Sequence, residues 1–400
     1  MAANLVPLSE IADIIGGYAF KSADFGASGL PVVKIASIEP PKVNLQDCEK
    51  IPAEKVVGLD KFRLQDRDIV MAMTGATIGK VGRFRSSQPA YLNQRVAKIS
   101  AKAGREFDDF IFSLVSQAGF DKEVLNHSNG SAQANVSTDG IGRILVPDFS
   151  PAEQYHIGKV IGALDDKIEL NRRMNATLET MARMLFNKHF PTFIAPENNS
   201  LILPFTETVE ILGGGTPKTT VTEFWHGNIP WFSVADAPDD SSVFVIDTEK
   251  KITPAGVENS STQVLPVGTT IITARGTVGK VALVGVPMAM NQSCYGLRGL
   301  LGEKGYYNYF ATRFLVATLQ QRAHGSVFDT ITRDTLAGVQ VVAPPKAVVN
   351  EFENTIDPMM ARIRNNLFES RNLASLRDTL LPKLLSGELE PPKEFDPFDL

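Results

Sequence analysis

The stretch PLSEIADIIGG, residues 7–17, returns later in the chain as PFTETVEILGG, residues 204–214. Other short motifs recur after it in the same order and at a nearly constant offset of 195 to 200 positions. These pairs are TIGKV (77–81) with TVGKV (277–281), Asn93-Gln94 with Asn291-Gln292, and Gly130-Ser131 with Gly325-Ser326. A register kept over such a distance indicates one structural unit that is present twice.

Each copy ends in a long helical pattern whose seam residues follow alternating steps of four and three, as in a coiled coil. The first seam runs from Ile157 to Leu185 and the second from Phe352 to Leu380. At about 1.5 Å per residue the first helix would be nearly 60 Å long, which suits a spacer. Pro358 is expected to kink or delay the second helix.

Polar residues occupy the middle of both seams. The set consists of Asn171, Asn175, Asn366 and Ser370. Polar residues in such a seam fix helix register at a cost in stability. Antiparallel pairing about a twofold axis would bring Asn171 and Asn366 close together.

Before each helix, short β-rich runs are broken by Gly and Pro, with helical stretches near 106–124 and 303–323. We therefore predict an α/β protein with two mixed α/β domains, separated by two long antiparallel coiled-coil helices and related by an internal pseudo-twofold repeat. The predicted segments are a first domain (1–150), a first spacer helix (151–190), a linker (191–202), a second domain (203–345), a second spacer helix (346–388) and a C-terminal tail (389–400).

Composition limits the class of protein. The chain has 400 residues, of which 43% are hydrophobic, and no secretory or membrane-spanning pattern, so we expect a soluble cytoplasmic protein. Its two cysteines, Cys48 and Cys294, form no disulfide or zinc pattern. The net charge of −5 does not favour nucleic-acid binding as a whole, but no acidic residue lies between Asp68 and Glu106, where seven basic residues fall.

The order and duplication of these motifs resemble the specificity subunits of type I restriction-modification enzymes. The resemblance covers nearly the whole chain, and it includes PAEQ at 151–154 and GNIPWFSVAD from Gly227. Two stretches depart from the family pattern: PPKAVVNEF from Pro344 replaces an EQ-type helix start, and LPVVKIASI from Leu30 lacks a tryptophan.

The resemblance implies a non-catalytic subunit that reads a bipartite, gapped site in double-stranded DNA, one half with each target-recognition domain. It also implies that the subunit positions two methyltransferase subunits and that a separate restriction and translocation subunit joins them. S-adenosylmethionine would be held by the methyltransferase, and we expect no cofactor or metal on this chain.

The TIGKV and TVGKV motifs do not fit a phosphate loop, because the glycine spacing is short and valine follows Lys80 and Lys280. They favour a tight strand turn at Gly79 and Gly279, and a lysine contact with DNA phosphate remains an alternative. The Asn-Gln pairs at 93–94 and 291–292 could read adenine edges. Since two domains that read different sequences share them, a scaffold role or a backbone contact is favoured.

By the same logic, base-reading residues should lie where the two copies differ. These regions are 21–25 against 218–223, 83–88 against 283–287, and 126–129 against 322–324. Arginines are preferred there, because they bind guanine through two hydrogen bonds. The candidate DNA-binding residues are Lys21, Lys80, Arg83, Arg85, Asn93, Gln94, Arg95, Lys218, Arg275, Lys280, Asn291, Gln292 and Arg322.

Two alternatives to a DNA-specificity subunit stay open at this point. Pro238-Asp239-Asp240 followed by Glu249-Lys250-Lys251 loosely fits a metal-dependent nuclease motif of the PD-ExK type. The first copy lacks this pattern, and no adenine-methyltransferase tetrapeptide is present. The second alternative is a duplicated scaffold that binds protein alone.

Overall fold

The computed structural model describes residues 4–128, 134–191, 193, 201–238, 242–322 and 330–391, without the side chains of 321 and 322. The chain forms two compact units. Unit 1 consists of Met1–Asp166 with Leu373–Leu400, and unit 2 of Lys167–Asn372. Each long helix therefore begins in one unit and ends in the other.

Unit 1 combines short strands with helices. Its strands are β1 (Leu5–Pro7), β2 (Ala12–Gly16), β3 (Leu30–Val33), β4 (Ile38–Glu39), β5 (Lys42–Val43), β6 (Lys50–Ile51), β7 (Arg63–Leu64), β8 (Ile69–Ala72), β9 (Val81–Arg83), β10 (Ala90–Leu92), β11 (Val96–Ala101) and β12 (Leu145–Pro147). Its helices are α1 (Leu8–Ile11), α2 (Asp108–Val115), α3 (Phe120–Asn126), α4 (Thr138–Gly142) and the first part of α5 (Pro151–His189).

Unit 2 repeats this plan. Its strands are β13 (Ile202–Pro204), β14 (Val209–Gly213), β15 (Trp225–Phe232), β16 (Phe244–Val245), β17 (Lys251–Ile252), β18 (Thr270–Thr273), β19 (Val281–Val284), β20 (Ala289–Met290), β21 (Cys294–Gly299) and β22 (Gln340–Val342). Its helices are α6 (Pro254–Glu258), α7 (Tyr306–Arg322), α8 (Arg333–Ala337) and most of α9 (Lys346–Leu385).

The sheets show that the sequence repeat is a structural repeat. The order β2-β11-β8-β9 in unit 1 matches β14-β21-β18-β19 in unit 2, and β6-β3-β10 matches β17-β15-β20. In both units the opening strand pairs with the strand that ends in or near a proline before the long helix, as β1 with β12 and β13 with β22. The prediction of a duplicated α/β fold is confirmed.

The start of α5 follows from local sequence. The Glu153 carboxylate accepts the backbone N–H of Ser150 at 2.8 Å, and the Ser150 hydroxyl accepts the N–H of Glu153 at 3.4 Å. This is a capping box, and Pro151 at the first helical position needs no hydrogen bond for its nitrogen. The PAEQ motif is thus a helix start.

Helix α9 contradicts one of the two effects predicted for Pro358, the delayed start of the helix. The helix begins at Lys346 and continues to Leu385, so it passes through Pro358 and is not delayed by it. Twelve residues precede the proline, and Phe352 and Ile356 among them are fully buried. Burial of this apolar face stabilises the turns before the proline, because a Leu- or Phe-sized side chain contributes about 1.5–3 kcal/mol when buried.

The last turns of α5 and of α9 pack into the core of the domain that belongs to the other repeat. In unit 2, Phe186 from the end of α5 packs with Phe205, at the start of the second domain, and with Phe352 of α9. In unit 1, Leu384 and Leu385 from the end of α9 join the cluster that contains Leu8. The two ends of the described chain therefore contribute to one core.

We predict that a circular permutant will fold and assemble. Leu400 is joined to Met1 through a short flexible linker, and the chain is opened between Pro196 and Ser200. Since Leu8 and Leu385 already lie in one core, this joins two segments that pack together, which is the condition under which permutation is tolerated. Circular dichroism and thermal melting, with the unpermuted chain alongside, measure the result. A permutant that is unfolded while the unpermuted chain is folded would contradict this arrangement.

Candidate nucleic-acid interface

The Gly-Gly and Asn-Gln motifs lie against each other in unit 1. Tyr18 bridges to Asn93, and the Tyr18 N–H donates to the Leu92 carbonyl at 2.9 Å. A Cβ atom on Gly17 would lie only 2.1 Å from the Asn93 carbonyl oxygen. Glycine is required there because any side chain would separate the two turns.

Unit 2 repeats this contact. A Cβ atom on Gly214 would lie 2.0 Å from the Asn291 carbonyl oxygen. The Asn291 side-chain oxygen accepts the Ser293 N–H at 3.0 Å, and Gln292 accepts the Thr216 hydroxyl. These bonds hold the Asn291 and Gln292 side chains against neighbouring residues of unit 2, which agrees with the scaffold role that the sequence favoured.

The glycine-lysine motifs form tight turns between antiparallel strands, β8 with β9 and β18 with β19. Gly79 and Gly279 have positive φ angles of 78° and 86°, a region that favours glycine. This agrees with the strand turn expected from the sequence. Lys80 is exposed beside its turn, whereas Lys280 is half-buried.

Arg83 and Arg85 differ most from the sequence-based expectation. Arg83 is only 3% exposed and is paired with Asp109. The Cζ atom of its guanidinium lies 4.2 Å from the centre of the Phe112 ring. Arg85 donates to Asp166 at 2.7 Å. Both arginines therefore hold the first domain on α2 and α5, so we withdraw them as base-reading residues.

Arg67 completes this ion network. It donates to both oxygens of Asp166, at 2.7 and 2.8 Å, and to both oxygens of Asp109, at 2.7 and 2.9 Å. Its backbone has a positive φ of 74°, and Gly268, which precedes the matching strand in unit 2, has a φ of 88°. Unit 1 thus places an arginine in a conformation that favours glycine, and each terminal nitrogen of its guanidinium binds one carboxylate.

The network also changes proton affinities. Burial acts most strongly on the pKa of Asp166 and raises it, but hydrogen bonds from Arg67 and Arg85 outweigh burial, so the pKa lies below that of a free carboxyl. Burial lowers the pKa of Arg83, although Asp109 opposes this change. The Arg83 Nε atom is buried without a hydrogen-bond partner.

Most other candidates are exposed in their own units. In this group are Lys21, Gln94, Arg95, Lys218, Arg275 and Gln292, while Asn93 and Asn291 are half-buried. The side chain of Arg322 and the residues at 129–133 and 323–329 lie outside the described part of the chain, as do Asp239 and Asp240 of the nuclease-like motif. Gln94 and Arg95 follow Asn93, so they lie beside the Gly-Gly turn of unit 1.

The polar seam is antiparallel, as predicted, and its amides bond to residues one helical turn from the opposite asparagine. The Asn171 amide donates to Ser370 at 3.3 Å and to Glu369 at 2.9 Å, and the Asn366 amide donates to Asn175 at 2.8 Å. Asn171 and Asn366 therefore do not bond to each other. Ser370 lies one helical turn after Asn366, and Asn175 lies one helical turn after Asn171. The centre of the pairing therefore lies between residues 171 and 175 of α5 and between residues 366 and 370 of α9.

The family comparison decides the identity of this fold. The family model described as "Type I restriction modification DNA specificity domain" matches residues 3–180 and, a second time, residues 204–351. The chain belongs to this family. The resemblance drawn from the motifs is confirmed, and the two matched ranges are the two repeats.

Relatives of this specificity family match most of the chain. The MjaIX specificity subunit of Methanocaldococcus jannaschii is 24% identical over 85% of this chain and 82% of its own length. The HindI specificity subunit of Haemophilus influenzae is 20% identical over 67% and 74%. The crystal structure of a type I S subunit from M. genitalium shares the fold, with a TM-score of 0.57, 13% identity and 96% coverage of both chains.

These relatives are named specificity subunits, in agreement with the DNA specificity domain that matches this chain twice. The nuclease alternative receives no support from them. In the described residues no helix is long and apolar enough to cross a membrane.

We predict that Asp109→Asn destabilises unit 1 by about 3–5 kcal/mol, because it leaves the buried Arg83 without its charged partner. Urea unfolding measures the change. Arg105→Gln is the control, since Arg105 is 53% exposed and its ion pair with Asp68 is worth below about 1 kcal/mol. Equal losses in the two variants would show that the network contributes no more than a surface pair.

The seam gives a second prediction. The side-chain oxygens of Asn171 and Asn366 are buried without a partner, so Asn171→Leu with Asn366→Leu should raise the melting temperature and loosen helix register. Asn187→Leu, on the exposed face of α5, is the control and should change little. A less stable double variant with a single register would contradict the role of these amides.

Proposed function

We propose that this specificity-family chain recognises a bipartite site in double-stranded DNA, one half with each repeat, and positions methyltransferase subunits there. One observation carries the proposal. Each unit has its own core and the same contact between Gly-Gly and Asn-Gln turns, while the residues that flank these turns differ. A shared frame with different flanking residues is suited to two sites of different sequence.

The exposed basic residues support a contact with phosphates. Lys21, Lys80 and Arg95 are exposed in unit 1, and Lys218 and Arg275 in unit 2. Phosphate contacts position a protein on DNA without reading sequence, and they make binding depend on salt. The overall charge of −5 does not oppose this, because the acid-free stretches lie in the strands and turns of the two domains.

The long helices expose an apolar residue at one pair of repeat-equivalent positions, which suits two copies of one partner. Met181 on α5 is 44% exposed, and Leu376, at its repeat-equivalent position on α9, is 47% exposed. Met184 and Leu170 extend the exposed apolar side of α5. Exposed apolar residues that cluster on a surface favour a protein interface. We assign these positions to two methyltransferase subunits.

The remaining partners follow from this assignment. A restriction and translocation subunit would join through the methyltransferases, and S-adenosylmethionine would be bound by those enzymes. The chain would determine which DNA sequence the complex binds, and it would act in the cytoplasm.

We predict modular specificity. Replacing residues 203–345 with the matching region of a relative should change one half of the modified site and leave the other half intact, because the two domains pack around separate cores. Sequencing of methylated adenines in cells that express the chimera and its methyltransferase gives the result. A change in both halves together would overturn the proposal, and the unaltered chain serves as the control.

A further inference from the structure

A recess of about 640 Å³ opens at the start of β15 in unit 2. Its walls carry polar and aromatic side chains: Thr219, Thr222, Trp225, His226, Lys250 and Lys251. It is formed within one unit and from described residues only. The region 218–223, where the two repeats differ in sequence, supplies one wall.

An irregularity in β15 shapes this recess. Trp225 and Ile229 both pair with Ile252, so the three residues between them bulge away from the sheet. A Cβ atom on Gly227 would lie 2.3 Å from the Ile252 carbonyl oxygen, so the bulge requires glycine there. β-bulges commonly redirect a side chain toward a functional surface.

His226 lies in this bulge with a positive φ of 61°. Arg67 has similar backbone strain, but its guanidinium binds two carboxylates. In the described part of the chain, the exposed His226 imidazole has no hydrogen bond or ion pair with another side chain, so its polar atoms are open to a ligand. A non-glycine residue held in this region costs roughly 1–3 kcal/mol and often marks a functional site.

Neighbouring side chains are also available to a ligand. The Lys250 ammonium has no ion pair within the described residues, whereas Lys251 pairs with Asp247 at 3.2 Å. Glu249 lines the same recess and is exposed. The Trp225 indole N–H already donates to the Lys218 carbonyl at 3.2 Å, which holds the ring in place as a wall.

The first domain has different chemistry at the matching positions. In unit 1, Pro31 of β3 pairs with Lys50 of β6, and in unit 2, Pro230 of β15 pairs with Lys251 of β17. We use these two pairs to align the two domains. Counting from these pairs, Ala27 stands where unit 2 has His226. Glu49 likewise replaces Lys250, and it is paired with Lys34. The two domains therefore carry different side chains at these two positions, as expected for a residue set that distinguishes two half-sites.

The mixture of groups selects the ligand. A phosphate only accepts hydrogen bonds, so a carboxylate such as Glu249 would repel it. A base pair presents both donors and acceptors in the major groove: lysine pairs with guanine O6 and N7, and glutamate accepts from cytosine N4. Lys250 and Glu249 together match a G·C pair, and the His226 imidazole adds a further donor or acceptor.

We propose that this recess reads a G·C base pair in the half-site of the second domain, with His226 and Lys250 as specificity-determining residues. The inference rests on the proposed function and deepens it. It also gives the Glu249-Lys250-Lys251 stretch a role in DNA reading in place of the nuclease role considered for it.

The test uses the chain assembled with its methyltransferase. The recognition site is first read from methylated adenines in cells that express the wild-type complex. Binding is then measured to that site and to versions in which each G·C pair of the second half is replaced by A·T. The variants are His226→Gly, which keeps the backbone conformation, and Lys250→Ala. Lys346→Ala, an exposed lysine on α9, is the matched control for loss of charge.

Both recess variants should bind the native site about tenfold to a hundredfold more weakly, since one good base contact is worth about 1–3 kcal/mol. They should lose discrimination at one G·C position of the second half and keep full discrimination in the first half. His226→Gly should melt at or above the wild-type temperature, so weaker binding cannot be attributed to unfolding.

Three results would overturn the inference. Unchanged binding by both variants would remove the recess from DNA reading, with the proposed function intact. A uniform loss on all sequences with a weaker salt dependence would identify a phosphate contact instead. A wild-type complex that binds no sequence preferentially would refute the proposed function and this inference with it.

Discussion

Antiparallel pairing of two long helices is the constraint on which the rest of the structure depends. Because α5 and α9 run in opposite directions, the last turns of each helix pack into the core of the other repeat's domain. Phe186 lies in the core with Phe205, and Leu385 lies in the core with Leu8. Neither domain is complete without a helix segment that is distant in sequence.

Polar contacts determine how the helices and domains fit. The Asn171 and Asn366 amides place buried oxygens without partners in the seam, which costs stability and selects one register. On unit 1, three arginines and two aspartates fix the first domain on α2 and α5. Unit 2 instead uses Arg313, which is paired with Glu179 of α5. The two repeats share a fold and differ in how they are fastened to their helices.

Much of this architecture could be predicted from the sequence. The duplication, the long helices and the tight turns at Gly79 and Gly279 follow from repeated motifs and periodicity, which depend on neighbouring residues. The scaffold interpretation of the Asn-Gln motif stays a prediction, and the bonds of Asn291 and Gln292 within their own domain agree with it.

Other features depend on contacts that the sequence does not show. Arg83 and Arg85 resembled surface arginines, but their partners Asp109 and Asp166 lie 26 and 81 positions away. The helix through Pro358 depends on the burial of Phe352 and Ile356. The strain at His226 arises from a bulge in β15. For the backbone strain at Arg67 the sequence did contain a signal. Gly268 stands at the matching turn position of unit 2, and this position favours glycine.

The central claim is that two domains with separate cores read two separate stretches of DNA. Sequencing the methylated adenines of cells that express this chain with its methyltransferase tests it most directly. The account predicts one motif with two defined halves and a constant number of unspecified base pairs between them. A continuous motif, or adenine methylation without any motif, would contradict it.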